Sequence, residues 1–291
     1  MTINNKSKSL GYSTILYTPE SKIKNPTFLF WQMWRDLLAS RELAWQLMIR
    51  DIKAQYRQSF LGIFWAFLPP IFMAIGFTLA EQSNVISISE TEISYPAYVM
   101  FSTALWQTFV EALNGPIQAV AQAKPMLSRI NFPREAIVLS KLGEVAFNFA
   151  IKLILIIGLF IWFKVPIIWT VILAPVALIH LVLLGTFVGV LLAPLAILYN
   201  DVSRGISTIT SFWLFITPVV YPVPSDGAFA FLVNFNPVTP LLVTTRELAT
   251  TGILTQTTGF WIVSVVTFIG LFTTWVFFRL AMPYAIERVS S

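Results

Sequence analysis

Long apolar runs divide the chain into segments that predict membrane-spanning helices. A helix needs about 20 apolar residues to cross a bilayer, and six stretches approach or exceed that length. They are residues 60–80, 95–113, 142–163, 169–192, 206–221 and 258–282. None alternates apolar and polar positions as a membrane β-strand does. The pattern therefore predicts an all-α integral membrane protein with six transmembrane helices.

The composition excludes a soluble domain and several kinds of site. Apolar residues make up 56% of the 291 positions and charged residues 11%, with a mean hydropathy of +0.74, whereas soluble domains are about 25% charged. The chain contains no cysteine and a single histidine, His180, which excludes disulfides, thiol catalysis and a histidine-rich metal cage. We expect no metal and no cofactor in this chain.

The basic residues predict the orientation in the membrane. All of the 19 lysines and arginines except Lys152, Lys164 and Arg246 fall on one side of the predicted spans, and cytoplasmic flanks retain such residues. Both termini are therefore expected in the cytoplasm. Cytoplasmic tails at 1–30 and 283–291 would flank a transmembrane domain at 31–282. This topology explains the net charge of +5 without a nucleic-acid partner.

Residues 42–59 have the pattern of an amphipathic helix lying in the membrane interface. An apolar stripe with Trp45 and Tyr56 lies opposite a basic stripe, since both recur at helical spacing. The basic stripe consists of Arg50, Lys53 and Arg57. The helix either anchors the chain on anionic lipid or gates the cytoplasmic mouth of a pathway, and the two roles are compatible.

Two connections are longer than a simple link requires. The cytoplasmic segment 114–141 mixes charged and apolar positions, which favours a docking surface over a flexible loop, because helix connections need only a few residues. The outer segment 222–257 is too apolar to be solvated and too short to cross. It is expected to form short re-entrant or interfacial helices before the last span.

Polar residues recur at helical spacing within two predicted spans. Glu144 and Lys152 lie on one stripe of the third span, and Glu111 ends a stripe of the second. A lysine inside a span costs about 2.5–3.5 kcal/mol on insertion scales, so Lys152 should pair with Glu111 or Glu144. The pair either fixes helix packing or belongs to a polar lining of a substrate path.

Aromatic side chains are dense in the first and fifth spans. Flat rings form rigid apolar surfaces along which a sugar chain can slide, so we take them as a candidate substrate path. Trp106 and Phe109 of the second span are added to this set. The full list of candidates is Phe60, Phe64, Trp65, Trp106, Phe109, Phe212, Phe215 and Tyr221.

Sequence signatures of catalysis are absent. There is no GxxxxGK[ST] phosphate loop and no Asp/Glu pair with hydrolytic spacing, so an enzyme such as a membrane glycosyltransferase has little support. Energy for active transport would come from another chain or from an ion gradient.

Several motifs resemble those of the permease subunits of bacterial ATP-binding-cassette polysaccharide exporters, which export O-antigen, capsule or teichoic acid. The first is residues 50–65 (RDIKAQYRQSFLGIFW), preceded by 41–43 (REL) and followed by Pro69. Shorter matches are 131–134 (NFPR), 199–202 (YNDV), 217–221 (TPVVY) and 236–237 (NP). The resemblance extends over nearly the whole chain from Trp34 onward.

The resemblance implies a homodimer in the bacterial inner membrane, paired with two copies of a separate ATPase subunit that binds ATP and Mg²⁺. The substrate would be a glycan on a lipid pyrophosphate, received by Arg50, Lys53 and Arg57 of a gate helix. Segment 114–141 would hold the helix that couples to the ATPase. The residues expected to make this contact are Gln122, Lys124, Met126, Arg129, Phe132 and Arg134.

Two alternatives to a polysaccharide exporter remain. A secondary transporter or channel without an ATPase would need ionisable groups near the midplane, where Lys152 and His180 are the candidates. An ATP-binding-cassette permease for drugs or small lipids should lack the gate-helix motif, which is present here.

Overall fold

The structure is a computed structural model that describes residues 26–290, except residues 58, 87, 89 and 128–131. Every regular element among these residues is helical. The α-helices are α1 (Pro26–Arg57), α2 (Leu68–Gln82), α3 (Tyr95–Gln122), α4 (Lys124–Leu127), α5 (Glu135–Trp162), α6 (Ala174–Leu198), α7 (Asp201–Ile216), α8 (Gly227–Phe235), α9 (Val238–Ala249) and α10 (Thr257–Ser290). Two 3₁₀ turns cover Gly62–Ala66 and Trp169–Ile172. The predicted tail at 1–30 lies largely outside the described residues.

The helices confirm a multi-pass membrane protein. Within the described part of the chain, α5, α6 and α10 are each long and apolar enough to cross a bilayer, and α8 with α9 is a fourth candidate, bent by 85°. The other predicted spans lie on α2, α3 and α7. Because α2 has only 15 residues and α7 only 16, the total of six spans stays a prediction.

Three predicted boundaries are wrong. The first span is not one helix from residue 60, because Gly62 has a left-handed φ of 52° and starts a 3₁₀ turn, and α2 begins with Pro69 and Pro70 in its first turn. Segment 114–141 is mostly helical rather than a loop. Finally, α10 continues through the predicted C-terminal tail to Ser290.

Packing explains why segment 114–141 is helical. The side chains of Val120 in α3 and Ile137 in α5 are buried in one apolar cluster with Phe278 and Met282 of α10. Burying these apolar side chains stabilises the helices that carry them. Both helices therefore extend beyond the predicted spans, α3 to Gln122 and α5 back to Glu135.

Helices α3 and α6 form the centre of the fold and approach closely at Gly185 and Gly189. A Cβ on Gly189 would lie 2.3 Å from the carbonyl oxygen of Leu113, and one on Gly185 would lie 2.7 Å from that of Phe109. This Gly-x-x-x-Gly spacing lets helix backbones meet in membranes, where packing rather than hydrophobicity drives helix association.

Helix α1 is one long helix that packs along α5, not a helix confined to 42–59. Its buried face includes Met33, Ser40, Ala44 and Leu47, which recur at steps of seven, four and three residues and so lie on one side of the helix. Trp45 of the predicted apolar stripe is not on this face and is exposed, so the interfacial position of the stripe stays a prediction. Trp45 shares the opposite face with other exposed apolar side chains, namely Trp31, Trp34 and Leu38.

Candidate functional site

A chain of polar contacts connects α1, α5 and α3 inside the helical bundle. Lys152 of α5 is 1% exposed, and its ammonium lies 2.5 Å from Oε1 of Glu111 on α3. Asn148 donates to Oε2 of Glu111 at 3.3 Å and accepts from the Tyr56 hydroxyl at 3.4 Å. These four residues form one hydrogen-bonded network, which we call the Lys152 network.

Glu144, the other acid predicted to neutralise Lys152, lies outside this network. It accepts from Lys141 at 2.5 Å, and Lys141 also lies 3.1 Å from Asp51 of α1. Helix α1 is thus attached to α5 by two polar contacts, one through Asp51 and one through Tyr56. Burial, followed by the charges of Glu111 and Glu144, raises the pKa of Tyr56, so its hydroxyl stays a neutral donor.

Two cavities adjoin the Lys152 network. One, of about 360 Å³, lies between α1, the 3₁₀ turn, α2, α3 and α5, and its lining includes Tyr56 and Trp65. The second, of about 280 Å³, continues between α3 and α5. Both are lined by Val110, Glu111 and Asn148, so together they form one polar groove, which we call the α3–α5 groove.

The predicted aromatic path divides into an exposed set and a buried set. Phe60, Phe64 and Trp65 are exposed before α2, and Phe212 and Phe215 are exposed on α7. Tyr221 is half-buried, and its hydroxyl donates to the carbonyl of Phe215 at 2.8 Å.

Trp106 and Phe109 do not belong with the exposed set. Phe109 is completely buried and Trp106 is 4% exposed. Both rings contact Trp213: the ring centroid of Phe109 lies 5.5 Å from that of Trp213, and the centroid of Trp106 lies 6.4 Å from it. In this structure the two rings fill the space between α3 and α7 and do not line an open path. We assign both to the core.

The basic stripe of α1 is solvent-accessible. Arg50, Lys53 and Arg57 are exposed, and the guanidinium of Arg50 lies 2.7 Å from Asp51. They are on the last two turns of α1, immediately before the turn that carries the exposed aromatics. A cationic and an aromatic surface therefore adjoin at this corner.

The residues predicted to contact an ATPase lie between the end of α3 and the start of α5. Gln122 is exposed, and Lys124, Met126, Phe132 and Arg134 are half-buried. Phe132 packs against the cluster that contains Val120 and Ile137. Arg129 lies outside the described residues. The described part of the site is thus a short surface between two helices rather than a loop over the whole of 114–141.

Arg246 is a buried charged residue that was not predicted as part of a site. Arg246 of α9 is 3% exposed, and it donates to the Ser102 hydroxyl and to the Pro218 carbonyl, both at 3.1 Å. Its guanidinium also lies 4.1 Å from the centre of the Tyr98 ring. A lone arginine in a short apolar helix was the available sign, because such a charge must find partners when buried.

Comparison with known proteins identifies the family. Residues 42–250 match the ABC-2 type transporter family, which is well over half of the chain. The chain belongs to the ABC-2 type transporter family. As an ABC-2 type transporter, it is a transport protein rather than an enzyme itself, and its family implies a membrane location and an ATPase partner.

Curated relatives cover most of this ABC-2 transporter. The chain is 26% identical over 215 residues to the O-antigen export system permease protein RfbA of Myxococcus xanthus, covering 72% of this chain and 80% of that protein. A protein of the same name from Klebsiella pneumoniae is 24% identical over 233 residues, which are 77% of this chain and 85% of that protein.

Proposed function

We propose that this chain is the membrane-spanning permease subunit of an ATP-binding-cassette exporter that moves lipid-linked polysaccharide across the bacterial inner membrane. The observation that carries the proposal is the similarity to O-antigen export permeases over most of both chains. The family implies an ATPase partner, so we propose a division of labour in which a separate ATPase subunit binds ATP and Mg²⁺.

The proposed topology has six crossings and cytoplasmic termini. The distribution of lysine and arginine supports this orientation. The 85° bend between α8 and α9 supports a re-entrant pair rather than a straight span. Helix α9 is buried along its whole length, whereas α8 buries only Ala230 and Val233. In this arrangement α9 places Arg246 near the outer side.

The proposed working unit is a homodimer. The described helices of one chain enclose cavities of only a few hundred Å³, which are too small for a polysaccharide conduit. Exposed apolar side chains on α7, including Ile209, Phe212 and Phe215, support a pathway at the surface between two copies. Phe60, Phe64, Trp65 and Tyr221 complete the proposed aromatic path.

The ATPase is proposed to dock on the surface between α3 and α5. Glu111 of the Lys152 network and Gln122 belong to the same helix, α3, with Pro116 between them, and a displacement at the docked end is proposed to reach Glu111 through this helix. ATP binding by the partner would thereby bias the permease between closed and open states. The exposed Arg50, Lys53 and Arg57 are suited to an anionic pyrophosphate head.

Co-purification tests the ATPase partnership. The chain is expressed with a candidate ATP-binding subunit from the same genome, and the recovered ratio of the two proteins is measured for Lys124→Glu. The matched control is Lys164→Glu, which changes the same charge at an exposed position between α5 and α6. We expect Lys124→Glu to reduce the recovered ATPase and Lys164→Glu to leave it unchanged. Equal recovery of the ATPase with both variants, or no recovery of the ATPase with the unaltered chain, would overturn this partnership.

A further inference from the structure

The α3–α5 groove has polar residues along both of its walls. On α3 they are Gln107, Glu111, Asn114, Gln118 and Gln122, and on α5 they are Lys141, Glu144, Asn148 and Lys152. Each set recurs at steps of three or four residues, so each forms a continuous stripe on its helix. Polar groups at membrane depth are expensive and are typical of functional sites.

The charges of the groove are balanced. Its two lysines, Lys141 and Lys152, each pair with a glutamate of the groove at 2.5 Å. The groove therefore has no excess of positive charge to attract a phosphate. Amides predominate among its remaining polar groups, and an amide both donates and accepts hydrogen bonds, as a neutral hydroxyl does.

Some of these amides lack a partner. Gln55 is exposed and Gln107 is half-buried, and both line the 360 Å³ cavity. Neither side-chain amide has a hydrogen-bond partner within the described residues. Among the amides of the groove, the Oδ1 of Asn114, beside the second cavity, is buried without a partner. Groups that face a cavity in this state are suited to a ligand that completes their hydrogen bonds.

The cavity also has an aromatic wall. Trp65 lies in the 3₁₀ turn, is 59% exposed and lines the same cavity as Gln107. An indole ring packs against an apolar face while leaving polar edges free for other groups. A cavity of about 360 Å³ is at the small end of the range for ligand sites, which suits one ring-sized group rather than a polymer.

We propose that the cavity between Trp65 and Gln107 binds a single neutral sugar ring of the exported lipid-linked glycan. This inference rests on the proposed function and adds a recognition site to it. The ring would stack on Trp65, and its hydroxyls would bond to the amides of Gln55 and Gln107. The end of α1 that lines the cavity with Gln55 and Tyr56 also carries the exposed Arg57 on its other face. The bound ring would therefore be the sugar next to the lipid pyrophosphate.

Photocrosslinking tests the site directly. The complex of the full-length chain with its ATPase is exposed to farnesyl pyrophosphoryl glucose that carries a diazirine on the sugar ring, and labelled peptides are mapped by mass spectrometry. The matched control probe replaces glucose by a cyclohexyl ring with the same diazirine, which keeps the size and the pyrophosphate and removes the hydroxyls. We expect the sugar probe alone to label the peptides around Trp65 and Gln107.

Two variants probe the two walls of the cavity without removing core packing. Gln107→Leu and Trp65→Ala should each reduce labelling by about fivefold or more, as expected for the loss of roughly 1 kcal/mol in a hydrogen bond or a stacking contact. Their controls are Gln82→Leu and Trp162→Ala, which make the same changes at exposed positions outside the cavity and should label like the unaltered chain.

The outcomes separate this inference from the proposed function, because export of glycan by cells is measured for the same proteins. Equal labelling by both probes, or labelling insensitive to Gln107→Leu and Trp65→Ala, would overturn the sugar site. If the unaltered chain exports glycan and the cavity peptides remain unlabelled, the sugar site is wrong and the export function stands. Failure of the unaltered chain to support export would overturn the proposed function, and the sugar site with it.

Discussion

The ammonium of Lys152 lies 2.5 Å from the Glu111 carboxylate and connects the middle of α5 to α3. The side chain of Lys152 is 2% exposed and that of Glu111 is 32% exposed. The two members of the pair are therefore unequal, because losing Glu111 leaves a buried cation without its counter-ion, whereas losing Lys152 leaves an anion that partly reaches solvent.

We predict that Glu111→Gln destabilises the protein more than Lys152→Met. Breaking a fully buried pair costs about 3–5 kcal/mol, and the exposure of Glu111 lowers the expected loss to roughly 2 kcal/mol. The thermal stability of each variant is measured in detergent by following its aggregation with size-exclusion chromatography, which ranks the variants. The exchange Glu111→Lys with Lys152→Glu should recover stability lost in each single change. Absence of that recovery would argue against a direct pair.

Gly189 is predicted to be intolerant of even one added carbon. Its Cβ would lie 2.3 Å from the Leu113 carbonyl oxygen, which is backbone and cannot rotate away, so Gly189→Ala should cost about 1–3 kcal/mol through overpacking. The control is Gly158→Ala in α5, where no atom lies within 4 Å of the added carbon. Equal melting temperatures for the two variants would contradict the close contact of α3 and α6.

Arg246 is predicted to require its guanidinium and not only its charge. It donates to Ser102 and Pro218 while lying against Tyr98, a geometry that an ammonium cannot reproduce. Arg246→Lys should therefore lose about 2 kcal/mol, and the exposed Arg204→Lys should be neutral. Detergent melting of both proteins measures this difference. An unchanged melting temperature for Arg246→Lys would show that the charge alone suffices.

The proposed topology is testable because the chain contains no cysteine. Single cysteines at Ser83 and Ser225 are expected on the outer side, and those at Gln122 and Gly205 on the cytoplasmic side. In inside-out vesicles, an impermeant maleimide should label only the second pair, and all four should react after solubilisation in detergent. Labelling of Ser83→Cys and Gln122→Cys from the same side would remove the crossing assigned to α3.

The sequence limited the partners of Lys152 to two acids, because Glu144 lies on the same stripe of its own helix and Glu111 lies on a polar stripe expected to face it. It did not distinguish between them, because the choice depends on the rotation of α3 against α5 and on Lys141, which pairs with Glu144. The attachment of Tyr56 to Asn148 joins positions 92 residues apart. No periodicity within one helix predicts such a contact.

Aromatic residues were the least predictable part of the site. Lipid is as apolar as a protein core, so hydrophobicity does not separate lipid-facing or path-facing rings from buried ones. Phe109 is buried because α3 is surrounded by α2, α5, α6 and α7, whereas Phe212 lies on the open side of α7. The short helices of 222–257 were foreseen from composition, but the 85° bend depends on how α9 packs against α6.

Transport by reconstituted vesicles tests the central claim most directly. The purified chain is placed in liposomes with and without its ATPase, and the appearance of a fluorescent lipid-linked oligosaccharide in the opposite leaflet is followed by accessibility to a membrane-impermeant glycosidase. The account predicts translocation only with both the ATPase and hydrolysable ATP. Translocation at the same rate without the ATPase, or driven by an imposed proton gradient, would contradict it.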